Sequence, residues 1–324
     1  MAKKLLIIIP TYKQIDLARR CLAALAKQTY TDFSVTIQDD GNDADYRTLP
    51  ESFPTLDCSY RSNPVRLGAI RNIISGLLAE TASEFLMVMH EDDSLQPEYL
   101  GRAISLLETK PELALVGSPA EYFHRRQEPR YRTGLSRDWR SYDYQELASY
   151  LTSLNKFVFG SAVYRRASLH PDDIELEKYS VFFDRPFLIQ TLRRNGQKAA
   201  LLQDRFYLYQ EHPFPDKRFD DLQVDHILNL YSLYHEIIPG RYLSSQLLYD
   251  FAALKNKSWR EFPAFWKEAE RQGLLDHRQL SYKFVGASLF IFFFGKKNYH
   301  RLFVALKKIS KQRQKISNKK SAKL

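Results

Sequence analysis

Two groups of carboxylates stand at the ends of strand-like runs in this 324-residue chain, Asp39-Asp40 before Gly41 and Glu91-Asp92-Asp93 after His90. Acids repel phosphate unless a divalent cation lies between them. The arrangement therefore suits a hard-ion site bridging acid and diphosphate, with solvated turn residues as the plain alternative. The turn after the first apolar run, Pro10-Thr11-Tyr12-Lys13-Gln14, lacks the GxGxxG pattern that lets a backbone approach a pyrophosphate, and no GxxxxGK[ST] occurs. Both observations disfavour a dinucleotide oxidoreductase and a P-loop NTPase. A further acid, Asp184, follows the apolar Val181-Phe182-Phe183 and opens a helical pattern whose N-terminus can hold its orientation. It suits a general base that takes the proton of an incoming hydroxyl. The same place suits a helix-capping aspartate.

The elements needed to gather these groups are legible in the first half. Leu5 to Ile9 is an apolar run of strand length, Leu17 to Leu25 repeats apolar residues at helical spacing, and Phe33 to Ile37 returns to alternation. A short strand near Leu56–Tyr60, a helix from about Leu67 to Ala79 and a strand at Phe85–Met89 follow. Next come a helix from about Pro97 and a strand at Leu113–Val116. Acids falling at strand ends are the mark of an open, mostly parallel α/β sheet, which binds ligands at that edge. Residues 120–155 read as loops and one helix. Phe157 to Tyr164 reads as a strand, Phe182 to Arg194 as a helix and Ala199 to Tyr209 as a strand. From about residue 220 the pattern is helical, rich in Tyr and Phe. The uncharged run Phe284 to Phe294 is too short to span a bilayer.

Several motifs now fall in a familiar order: Ile8-Ile9-Pro10-Thr11-Tyr12, Gln28-Thr29-Tyr30, Asp39-Asp40-Gly41, Asn63 through Gly68 to Arg71-Asn72, and Glu91-Asp92-Asp93 with Pro97 downstream. Together they resemble the inverting, bacterial family 2 glycosyltransferases of the GT-A fold. Phe159-Gly160-Ser161, Asp184 opening a helix that reaches Gly196, and Tyr209 with His212 extend the likeness. The resemblance implies a mixed, mostly parallel sheet flanked by helices over residues 1–220, with a donor half to about 120 and an acceptor half beyond. The resemblance ends near residue 220, beyond which the sequence pattern predicts a helical extension over 221–295 and a basic tail over 296–324. It also implies sugar transfer from a nucleotide diphosphate donor to a hydroxyl of a glycan, glycolipid or glycoprotein. Pro10, Thr11 and Tyr12 would meet the nucleoside, Asp40 a base N–H of uracil or thymine, Arg71 the diphosphate, and Glu91 the ribose. Asp92 resembles the metal carboxylate of the family's DxD element, and His212 a position near the metal. His90 stands where the family often has the first Asp of that element, which leaves the choice between Mn2+ and Mg2+ open. An ordinary turn tyrosine and a solvent-facing helix arginine are the plain readings of Tyr12 and Arg71.

Composition sets the remaining expectations. Hydrophobic residues at 44% and charged residues at 27% are ordinary for a globular protein. Cys21 and Cys58 have no metal-ligand spacing, and the apolar run after Met1-Ala2-Lys3-Lys4 is short for a signal peptide, so the sequence reads as cytoplasmic. Residues 296–324 hold eleven Lys and Arg and no acid, against +10 for the whole chain, so the body is near neutral. Leu302, Leu306 and Ile309 repeat at helical spacing among those lysines, which suits a helix lying on an anionic membrane surface at its inner face. Nucleic acid is a less favoured partner. Two competitors remain. A sugar nucleotidyltransferase would want a Gly-rich basic loop after the first strand, and a non-catalytic membrane or nucleic-acid binder would leave the acids unexplained.

Overall fold

The computed structural model describes residues 2–124, 127–152, 157–211, 223–238, 243–254 and 262–275. His212, the apolar run 284–294 and the basic segment 296–324 lie outside the described residues. The chain divides into two compact units, Met1–Asp220 and Asp221–Leu324.

The first unit is built on an apolar strand, β1 (Leu5–Thr11), flanked in parallel by β2 (Phe33–Asp39) and β4 (Phe85–Val88), with β3 (Asp57–Ser62) outside β2. β1 and β4 are buried on both faces, which is why they read as continuous apolar runs, whereas β3 is largely exposed. Leu5, Ile7 and Ile9 pack in one core with Ala18, Cys21, Leu22 and Leu25 of α1 (Ile15–Leu25) and with α4 (Tyr99–Thr109). Ile8, Leu86 and Val88 face the opposite core, with Leu77 of α3 (Ala69–Leu77) and Phe187, Leu188 and Leu192 of α7 (Asp184–Asn195). Each fully buried Leu contributes about 1.5–3 kcal/mol of transfer free energy.

Beyond β4 the eight-stranded sheet is completed by β9 (Val163–Arg165), β6 (Leu113–Gly117), β10 (Lys198–Leu202) and β8 (Trp139–Tyr142), in the order β3-β2-β1-β4-β9-β6-β10-β8. β9 is antiparallel to β4 and to β6, and β8 is antiparallel to β10. A second sheet of three strands pairs β11 (Tyr207–Glu211) antiparallel with β5 (Ser94–Leu95) and parallel with β7 (Ala120–His124). The expected α/β class, with its mixed and mostly parallel sheet flanked by helices, is what forms.

Three expectations need correction. Residues 120–155 contain two strands, β7 and β8, besides the helix α5 (Tyr144–Thr152). Only Val163–Arg165 of the run from Phe157 is strand, because Phe159–Ser161 winds into a 3-10 turn in which the Ser161 hydroxyl meets the Val158 carbonyl at 2.7 Å. The stretch Ala199 to Tyr209 is two strands in different sheets. It breaks at Asp204, whose carbonyl meets the Ser118 hydroxyl at 3.2 Å.

The second unit contains α8 (Val224–Ile237), α9 (Leu243–Leu254) and α10 (Phe262–Arg271). Phe251 and Phe265 stack there at 3.9 Å between ring centroids. Among the described residues no helix is long and apolar enough to cross a membrane.

Candidate active site

Parallel strands deliver their carboxyl ends to one edge, and there β1, β2 and β3 build a recess of about 250 Å³. It is lined by Tyr12, Lys13, Asp40, Gly41, Asn42 and residues 63–66. Asp40 shapes its floor. One oxygen accepts from Leu67 N–H at 2.7 Å and from Asn63 Nδ2 at 2.9 Å, and the other from Gly68 N–H at 2.8 Å. A carboxylate offers about four acceptor positions, so about one remains for a ligand N–H. Gly68 adopts φ +79° at the start of α3, a backbone that favours glycine and aims its N–H at Asp40. Behind this floor, buried Gln38 donates to Asn72 Oδ1 at 2.6 Å, and Asn63 donates to the same oxygen at 2.8 Å. Asp39 lies outside the recess chemistry and caps the turn, accepting from Gly41 N–H at 2.7 Å and the Tyr60 hydroxyl at 3.1 Å.

Tyr12 forms one wall. The Arg66 guanidinium lies 4.4 Å from its ring centroid, and the Lys13 ammonium 5.4 Å. Among the described residues three non-glycines have φ near +50°, namely Lys13, Asn42 and Ser180. The first two line the recess and the third precedes Asp184, so the uncommon backbones gather where chemistry is expected. Thr11 is buried, its hydroxyl 3.4 Å from the Gln38 carbonyl, and Pro10 is a strand residue in register with Gln38. Arg71 is exposed on α3, its guanidinium 2.9 Å from Glu177.

The second acid group follows β4. Glu91 is buried and serves the recess from beneath, accepting from Tyr12 N–H at 3.1 Å and from the Tyr46 hydroxyl at 2.8 Å. Tyr46 in turn accepts from Gln14 N–H at 2.8 Å. Both Glu91 oxygens are thus engaged by the protein, which gives this residue a positioning task at the turn that carries Tyr12. Burial pushes its carboxyl up to about 7 against the two hydrogen bonds.

His90, Asp92 and Asp93 bring ligand atoms within 4.8 Å of one another. Asp93 is buried and tied to the second sheet, accepting from the Tyr207 hydroxyl at 2.6 Å and from Gln210 N–H at 2.9 Å. Burial raises its carboxyl above the ordinary range. The His90 Nδ1 lies 3.6 Å from Asp93. Both oxygens of Asp93 are bonded inside the protein, whereas Asp92 and His90 are half-buried and reach solvent. One carboxylate with one imidazole fits a divalent ion, and Mn2+ better than Mg2+, since imidazole is a poor ligand for the harder ion.

Asp184 opens α7 and its carboxyl is raised, first by burial, against the charge of Arg185, local backbone N–H groups and the charge of His90. Asp184 is the first helical residue, and Phe183 occupies the cap position with no side-chain cap hydrogen bond. Phe159, next to Gly160, packs on Phe183 with centroids 5.6 Å apart, which connects the start of α7 to the turn beside His90. Gly160 itself has no room for a side chain. A Cβ there would lie 2.5 Å from the Tyr207 hydroxyl oxygen and 3.7 Å from His90. The sequence did not point to Tyr46, Tyr207 or Gln210, and no motif flags them. Only the alternation of Tyr207 and Tyr209 carried a trace.

Residues 6–171 match the family described as Glycosyl transferase family 2. No curated protein matches the chain by sequence. Among solved structures, S. aureus TarS 1-349 in complex with UDP-GlcNAc superposes with a TM-score of 0.57 at 16% identity, over 91% of this chain and 89% of that one. The same region of S. aureus TarS in complex with UDP gives 0.51 at 18% identity, over 83% and 78%. At these identities the likeness is one of fold.

Proposed function

The chain belongs to glycosyl transferase family 2, and from that premise we propose that it moves a sugar from a UDP-sugar, with a dTDP-sugar as second choice, to a hydroxyl of a glycan, glycolipid or glycoprotein, inverting the anomeric centre. The observation that carries the proposal is the recess between Tyr12 and Asp40, with the His90, Asp92, Asp93 group at the end of the neighbouring strand. Tyr12 packs on the base, Asp40 accepts the base N–H that uracil and thymine share, and Pro10 and Thr11 hold that wall in the sheet. TarS, of the same fold, binds UDP-GlcNAc, a donor of the class proposed here.

Asp92 would hold a divalent ion, with His90 beside it and His212 assigned by resemblance. When bound, the ion supplies charge neutralisation for a leaving diphosphate. Arg71 meets the same diphosphate. Its exposed pair with Glu177 is of the kind worth about 0–1 kcal/mol, so exchanging it for phosphate costs little. Glu91 keeps the Tyr12 turn fixed under the ribose. Asp184 removes the proton of the attacking hydroxyl, and that hydroxyl displaces the nucleoside diphosphate from the face opposite the leaving group. Burial raises the basicity of Asp184 toward that task. The enzyme is assigned to the cytoplasm, with residues 296–324 as a handle for anionic membrane.

The test is release of nucleoside diphosphate across UDP- and dTDP-sugars, in Mn2+, in Mg2+ and in EDTA. Metal-dependent release from a UDP-sugar is the expected result. Formation of a nucleotide sugar from sugar phosphate and nucleoside triphosphate would assign the chain to the nucleotidyltransferases instead.

A further inference from the structure

Two tyrosines of the small sheet have no part in the chemistry above. Parallel pairing of β7 with β11 sets Tyr122 beside Tyr209 in register, and their ring centroids are 5.3 Å apart at an interplanar angle of 55°. Tyr122 is 41% exposed, one of three large hydrophobic side chains exposed among the described residues. A single exposed tyrosine is ordinary. A strand-paired couple running out from a group of buried acids is not.

Strand alternation places the couple. Residues 207 and 209 share one face of β11, and Tyr207 on that face holds Asp93 through its hydroxyl. Two residues of strand advance about 6.6–6.8 Å, roughly the width of one sugar ring. Gln210 N–H reaches Asp93 at 2.9 Å, so β11 runs past the acids and not away from them. Burial raises the Tyr122 hydroxyl, and the charges of Glu211 and Asp93 add to that rise against Arg205. Farther along, exposed His124 pairs in register with exposed Glu211, giving the rings a polar rim.

We propose that Tyr122 and Tyr209 form the acceptor subsite, a platform on which a pyranose ring of the acceptor lies. This rests on the glycosyltransferase reading and deepens it by naming what the enzyme recognises in its acceptor. A pyranose has an apolar face of C–H bonds that suits the negative face of an aromatic ring, and hydroxyls at its edge that suit a polar rim. Exposed Glu211 at the rim offers carboxylate oxygens to sugar hydroxyls, so the platform suits the sugar part of an acceptor. The platform lies one strand step beyond Tyr207, the residue that holds Asp93, which keeps an acceptor ring at the active-site edge.

The test uses the full chain with methyl glycosides of glucose, galactose, mannose and N-acetylglucosamine as probes. Binding is read by saturation-transfer NMR in the presence of UDP and Mn2+. The wild type is compared with Tyr122→Ala and Tyr122→Phe, each checked for an unchanged melting midpoint. At least one glycoside is expected to bind the wild type and Tyr122→Phe, and to bind Tyr122→Ala roughly tenfold more weakly or worse, the scale of one lost stacking contact. Equal binding by Tyr122→Ala, or no glycoside bound by the wild type, overturns the platform. So does a loss of dimer by light scattering in Tyr122→Ala with glycoside binding intact, which would assign the tyrosines to contact between copies. Donor turnover by the wild type is measured separately, so failure of the glycosyltransferase reading shows there and failure of the platform shows in glycoside binding.

Discussion

Adding one methyl group at Gly160 should damage a carboxylate that Gly160 never touches. In Gly160→Ala the new Cβ would lie 2.5 Å from the Tyr207 hydroxyl oxygen, where real contacts begin at 3.0–3.4 Å. The hydroxyl, at the end of a buried ring, must retreat by about 0.5–0.9 Å to be accommodated. Its bond to Asp93 is 2.6 Å long, so a retreat of that size along the bond carries it to the limit of hydrogen bonding. Leaving a buried carboxylate oxygen unsatisfied costs about 1–3 kcal/mol. Asp93 is the neighbour of Asp92, and metal-dependent UDP affinity should fall roughly tenfold, the equivalent of about 1.4 kcal/mol. Tyr207→Phe removes the same bond without adding bulk, and with the hydroxyl gone the nearest ring atom stands 3.3 Å from the added Cβ. The double variant should therefore cost clearly less than the two single ones summed, a coupling read from thermal melts and from calorimetry of UDP with Mn2+. Strict additivity, or a Gly160→Ala chain with wild-type melting and UDP affinity, would refute the proposed connection from Gly160 through Tyr207 to Asp93.

Asp184→Asn is expected to lower transfer by roughly 10²–10⁴ while donor affinity and melting midpoint hold or rise. Because burial raises the folded pKa, the stability Asp184 contributes is present below the ordinary aspartate pKa and lost as pH rises through the raised one, a loss that asparagine escapes. Transfer by the wild type should climb with pH through that same raised value, whereas a destabilised Asp184→Asn chain would point to a helix cap. Asp40→Asn places an amide against the N–H groups of Leu67 and Gly68, so UDP affinity should fall by roughly tenfold or more while the core survives. Wild-type calorimetry in that variant would remove Asp40 from the recess. Deleting residues 296–324 should abolish co-sedimentation with anionic vesicles, and 1 M salt, which shortens screening to about 3 Å, should do the same to the full chain. Equal binding of RNA or of neutral vesicles would count against a membrane handle.

Elements that bury at least one whole face are legible in the sequence, because a central strand such as Leu5–Thr11 or an amphipathic helix such as Ile15–Leu25 must show its apolar spacing. Edge strands hide. Trp139–Tyr142 buries only its last residue, so charge and aromatics blur its period. Gln203-Asp204-Arg205, three polar residues between Leu202 and Phe206, mark the place where Ala199 to Tyr209 changes sheets, and the apolar runs on both sides mask that break. At the site, strand-end position alone marked Asp40 and the acids after β4. What spacing could not tell was which acids turn inward. Glu91 and Asp93 are committed to Tyr46 and Tyr207, partners 45 and 114 residues distant in sequence, and such pairings exist only once the sheets have formed.

The central claim is that a divalent ion at Asp92 joins the acids of this edge to a nucleoside diphosphate in the recess beside Tyr12. Calorimetric titration of UDP into the full chain, with Mn2+ and again in EDTA, tests it directly when repeated on Asp92→Ala. The account predicts binding by the wild type that depends on Mn2+ and is lost in Asp92→Ala, with the variant's melting midpoint little changed. UDP binding of equal strength in EDTA, or undiminished Mn2+-dependent binding by Asp92→Ala, would contradict it.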